Sequence, residues 1–90
     1  MAKHRVFSAY DAKLGVFMPP FFQIHLGQAL RMWQDAANSP DSMVAKHPSD
    51  FVLYEIGTFD DDKGILTAHN PLQQVSTALE VVSKKPQQQL

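Results

Sequence analysis

Residues 51–69 read Phe51-Val-Leu-Tyr-Glu-Ile-Gly-Thr-Phe-Asp60-Asp-Asp-Lys-Gly-Ile65-Leu-Thr-Ala-His69. The first nine are rich in β-branched and aromatic residues and form the strongest strand signal in the chain. Gly57 inside them marks a bulge or a close approach of another backbone. Asp60-Asp-Asp-Lys-Gly64 is a turn, because an aspartate bonds its own backbone two residues on and glycine supplies positive φ. Ile65–His69 returns as a second strand, which Pro71 ends. Gln74–Val82 is open to a short helix or a strand.

A similar hairpin lies upstream. His4–Tyr10 mixes β-branched and aromatic residues with polar ones and reads as a strand. Asp11-Ala-Lys-Leu-Gly15 repeats the turn chemistry, and Val16-Phe17-Met18 resumes extended structure. Pro19 and Pro20 remove two N–H donors, so this strand lies at an edge or bends away before Phe21–Ile24 continues it. Tyr10-Asp11-x-x-x-Gly15-Val16-Phe17 parallels Phe59-Asp60-x-x-x-Gly64-Ile65-Leu66 by residue type, which supports two hairpins with like turns.

Between the hairpins the period changes. Leu26, Ala29, Leu30, Trp33, Ala36 and Ala37 form one apolar helical stripe, with Gln28, Arg31, Gln34 and Asp35 on the other sides. Asn38 caps the end and Pro40 forbids continuation. The start is poorly capped by His25, and Gly27 is expected to let the helix approach the sheet closely. Residues 39–50 read as a loop with prolines near both ends. The fold expected is α+β, in the order ββαββ: two antiparallel hairpins form a sheet packed on one helix. Residues 1–83 make the single domain and 84–90 a flexible tail.

Ninety residues with 44% hydrophobic and 19% charged side chains suit one small globular domain with a thin stability margin. Cysteine is absent, which excludes disulfides and thiolate metal sites and fits a reducing cytosol. No apolar run nears the ~18–20 residues that cross a membrane, and no signal peptide is expected. One helix covers one sheet face only. Apolar residues fall on both sides of Phe51–Ile56, so a homodimer is expected to cover the rest.

Catalytic chemistry finds little support. Asp60, Asp61 and Asp62 sit together at a turn without the enclosure that shifts pKa values, and read as a solvated tip. The histidines (4, 25, 47 and 69) include no i, i+4 pair, and no phosphate loop or nucleophile elbow is present. The expectation is no enzyme, no metal and no cofactor. Charge is lopsided: residues 1–48 carry +2 and residues 49–90 carry −3. Cations and aromatics meet in the first hairpin, in the pattern that holds single-stranded nucleic acid by stacking and backbone neutralisation. Phe7 and Tyr10 point to opposite sides of a regular strand, so one of them is core. Trp33, on the helix stripe, is core.

Several segments taken together resemble a known family. They are Val6-Phe7-Ser-Ala-Tyr10-Asp11, Phe17-Met-Pro-Pro-Phe-Phe22, Gly27-Gln-Ala-Leu-Arg31-x-Trp33-x-Asp35, Ala45-Lys-His-Pro48 and Glu55-Ile-Gly57-x-Phe59-Asp60. The resemblance is to the small non-structural DNA-binding proteins of gokushoviruses, single-stranded DNA bacteriophages of the Microviridae, over roughly residues 4–70. It implies a role in phage genome replication in the host bacterial cytoplasm, at the switch to single-stranded genome synthesis and packaging. It carries no residue-level site pattern. Charge and aromaticity alone select Lys3, Arg5, Lys13, Arg31 and Lys46 as phosphate contacts and Tyr10 and Phe17 as stacking partners. The rival expectations are an adaptor that uses the Asp60–Asp62 tip and the tail to redirect a phage or host replication protein, with little DNA affinity of its own, and a scaffold bound to capsid protein during packaging.

Overall fold

The structure, a computed structural model, describes residues 3–82. The tail expected over 84–90 lies outside the described residues. Strand β1 (Lys3–Asp11) turns into the two-residue β2 (Val16–Phe17), followed by β3 (Phe21–Gln23) and helix α1 (Leu26–Asn38). A four-residue helix α2 (Met43–Lys46) and a 3-10 turn (Pro48–Asp50) lead to β4 (Phe51–Asp60), β5 (Ile65–Thr77) and helix α3 (Ala78–Val81). The sheet is antiparallel in the order β2-β1-β4-β5, with β3 also on β1. The expected α+β class, with its two hairpins joined through a central β1–β4 pair, is the fold observed.

Both hairpins turn by one device. Asp11 Oδ1 accepts the N–H groups of Lys13 and Leu14, and Asp60 Oδ1 those of Asp62 and Lys63. Each turn closes on a glycine of positive φ, Gly15 at 72° and Gly64 at 67°, whose N–H donates to the aspartate carbonyl at 2.8 Å. The proline pair acts as expected. β2 and β3 lie along one edge of β1, split at Met18-Pro19-Pro20. Met18 N–H donates to Ala9 O, while the buried Ser8 hydroxyl donates to Met18 O at 2.6 Å and fixes the break.

Helix α1 packs on one sheet face. Ala29, Trp33 and Ala37 meet Phe7, Ala9, Phe51 and Leu53, with Val44 of α2 and Ala78 of α3 closing the core. A fully buried Phe or Leu contributes about 1.5–3 kcal/mol, and Phe7 and Leu53 are completely inaccessible. The Trp33 indole N–H, which needs a partner once buried, donates to Thr77 O at 3.4 Å.

Five expectations need correction. The segment 39–50 is not a plain loop: Ser42 caps α2 by accepting the N–H groups of Val44 and Ala45. With α3, the described residues hold three helices rather than the one expected. Pro71 does not end the second hairpin, and β5 runs through it to Thr77. The strand tolerates proline because it is an edge and because it bulges there. Glu55 pairs with Gln73 and Gly57 with Ala68, leaving Ile56 opposite a longer β5 segment. Gly27 makes no close approach, since a Cβ there meets nothing within 4 Å. Finally, α1 is better capped than its first residues imply, because the Gln28 side chain accepts the His25 N–H at 3.2 Å.

Candidate nucleic-acid interface

Alternation along β1 puts Phe7 and Ala9 under the helices and His4, Val6, Ser8 and Tyr10 on the opposite face, which no described helix covers, although side chains of the sheet itself bury Val6 and Ser8 there. Phe17 pairs with Tyr10 and Phe22 with Val6, so both extend that face. Tyr54 pairs with Ser8 and joins Tyr10 on the diagonal. Three rings therefore gather at the end nearest the first turn. Tyr10 and Phe17 have centroids 4.7 Å apart, Phe17 and Tyr54 5.7 Å, and Tyr10 and Tyr54 6.3 Å. Phe17 is 44% exposed, and both tyrosines are half-buried.

A second ring group sits at the other end. Phe59 contacts His4 at 5.8 Å and Phe22 at 5.9 Å. Between the two groups runs a shallow apolar trough lined by Val6, Pro20, Ile56, Leu66 and Ala68. The two ends differ in charge. Lys13 lies in the turn beside Tyr10 and Phe17. Asp60, Asp61 and Asp62 crowd the second turn, with carboxylate oxygens within 4.8 Å of one another, and His4 Nε2 is 3.0 Å from Asp61 Oδ2.

The seven residues selected from sequence do not form one surface. Tyr10 and Phe17 come together beside the first turn, while Lys13, within that turn, lines a pocket with Met43, His47, Asp50 and Phe51 on its helical side. Lys3 lies at the acidic end, in register with Asp60. Arg31 projects from the outer side of α1 and Lys46 from α2, both exposed and both in the helical layer, across the sheet from the rings. Among the described residues no carboxylate pairs with Lys13, Arg31 or Lys46.

Arg5 points to the helix side, over Phe7, and is engaged by a carboxylate. Its Nε and Nη2 both donate to Glu55 Oε1, at 2.9 and 2.7 Å, and His69 Nε2 meets Glu55 Oε2 at 2.8 Å. Burial pushes the Glu55 carboxyl up, but the hydrogen bonds and positive charges of Arg5 and His69 outweigh it and hold the group below its ordinary range. Sequence reasoning missed Tyr54 as a site residue, although its place in the alternation of Phe51–Ile56 puts it opposite Leu53.

The model of one family, described as phage ORF5 protein, matches residues 4–81. The chain belongs to the phage ORF5 protein family. The match opens at the second residue of β1 and closes at the last residue of α3, so the family's span takes in every element described. It includes both ring groups, both Asp-to-Gly turns and the Arg5–Glu55–His69 set. No curated protein and no solved structure matches the chain. Membership in the phage ORF5 family makes this a bacteriophage protein.

Proposed function

We propose that this phage protein is a non-catalytic binder of single-stranded DNA, with bases stacking on Tyr10, Phe17 and Tyr54 and Lys13 meeting the backbone. The observation that carries this reading is the three-ring group on a sheet face that no helix covers. Stacking of a base on such a ring is worth ~1–3 kcal/mol and tolerates any sequence. Duplex bases are already stacked, so the same rings favour single strands. A net charge of −1 gives no general pull on a polyanion, and affinity then rests on stacking more than on counterion release. The gokushovirus resemblance supplies the biological setting: genome replication in the host cytoplasm, at the switch to single-stranded synthesis and packaging.

The test is a titration of a labelled oligothymidylate and of a duplex of equal length, at low and moderate salt. The expected result is binding of the single strand with a shallow salt dependence, and a loss of ~1–3 kcal/mol in Tyr54→Ala. No single-strand binding at low salt overturns the proposal. The adaptor reading then stands in its place, favoured by the exposed apolar residues beside the acidic turn.

A further inference from the structure

The two edges of the sheet are built differently. The β2–β3 edge is broken at Met18-Pro19-Pro20, where proline removes the donors a neighbouring strand needs. The β5 edge begins with Ile65-Leu66-Thr67-Ala68, in regular antiparallel register with Asp60–Gly57 on its inner side. No described strand lies on its outer side. The segment contains no charge and no proline, and all four residues are exposed, with Ile65 at 50% and Leu66 at 64%. The helices do not reach it: β5 meets the core at its far end, through Val75 and the buried Ser76. The devices that usually blunt an edge, namely charge, proline or a bulge, start only at His69.

We infer that Ile65–Ala68 pairs with the same segment of a second copy of this chain, antiparallel across a two-fold axis, joining two sheets edge to edge. Charge selects a second copy as the occupant. A neutral segment sets no like charges opposite one another when it pairs with itself, and the antiparallel arrangement sends the two Asp60–Asp62 turns to opposite ends of the joint. Chemistry excludes DNA, because an open strand edge asks for peptide N–H and C=O groups in extended form. Apolar surface adds to it. Leu66 borders the surface of His4, Phe22 and Phe59, and the joint merges two such patches on one continuous open face. The ring groups at Tyr10 then lie at the far ends of the doubled sheet. The joint forms whether or not that face binds DNA.

The experiment is light scattering or sedimentation of the full chain from micromolar upward. The expected species is a dimer of twice 10.1 kDa. Leu66→Lys and Leu66→Glu each weaken self-association by roughly tenfold or more, since charge on an edge opposes pairing. Both keep the circular dichroism of the parent, because Leu66 is solvent-facing. An equimolar mixture of the two variants restores the dimer. Tyr54→Ala, distant on the same face, leaves self-association unchanged. A wild-type chain that stays monomeric overturns the inference, as does a Leu66→Lys chain that associates like wild type. Loss of the dimer in Tyr54→Ala also overturns it, by moving the contact from the edge to the face.

Discussion

Arg5 places two N–H donors on a single carboxylate oxygen of Glu55, across the central β1–β4 pair. The second oxygen faces His69, brought in from the β5 bulge, so one buried carboxylate ties three strands together. Its carboxyl is held below the ordinary glutamate value of 4.5. The stability that follows is therefore fully present above that value. It is lost as pH falls below 4.5 through the lowered folded value, where protonation releases both partners. Thermal melts between pH 7 and pH 3 should show a decline that is absent in Glu55→Gln. At neutral pH that variant should lose about 2–3 kcal/mol, below the full cost of breaking a buried pair because Arg5 and His69 keep some contact with water.

Asp11 and Asp60 play the same part in the two turns, and their removal should cost alike. Asp11→Ala and Asp60→Ala each strip two backbone N–H groups of their acceptor, at an expected ~1 kcal/mol by urea unfolding, as for a lost helix cap. Asp62→Asn should stay within ~0.5 kcal/mol of the parent, because that side chain holds no part of the turn. An Asp62→Asn loss equal to that of Asp60→Ala would show that the acidic group does more than close a hairpin.

Glycine separates tolerance from necessity. Gly27 is helical, exposed and free of neighbours, so Gly27→Ala should stabilise by about 0.4–1 kcal/mol through the unfolded chain. At Gly57 an added Cβ collides with the Thr67 carbonyl of the adjacent strand. Gly57→Ala should cost about 1–3 kcal/mol as β5 shifts away. Paired chemical denaturation curves check both signs at once.

These variants also mark what the sequence discloses and what it hides. The Asp-to-Gly turns, the proline break, the apolar stripe of α1 and the close approach at Gly57 are local signals, and each appears where its chemistry puts it. Helix α2 is four residues long, too short for any period to register, and only Ser42 announces it. The run of β5 through Pro71 depends on its being an edge, a property of the whole sheet. The site is harder still. Which face α1 covers decides that Arg31 and Lys46 part from Tyr10, and no local pattern encodes that choice. Arg5 reads as a free cation until two register shifts bring Glu55 and His69 to it.

That separation yields the sharpest functional prediction. If DNA lies on the open face, Lys13→Ala should lower the slope of log affinity against log salt by ~0.7, the share of one phosphate contact on a single strand. Arg31→Ala and Lys46→Ala, across the sheet, should leave both affinity and slope unchanged. Tyr10→Ala should cost ~1–3 kcal/mol with the slope preserved, because stacking releases no counterion. Each position is exposed or half-exposed, so all four chains should fold and can be compared in one titration series. A slope that falls in Arg31→Ala or Lys46→Ala but not in Lys13→Ala would carry the strand over the helices. The rings of the open face would then belong to protein contact rather than to DNA.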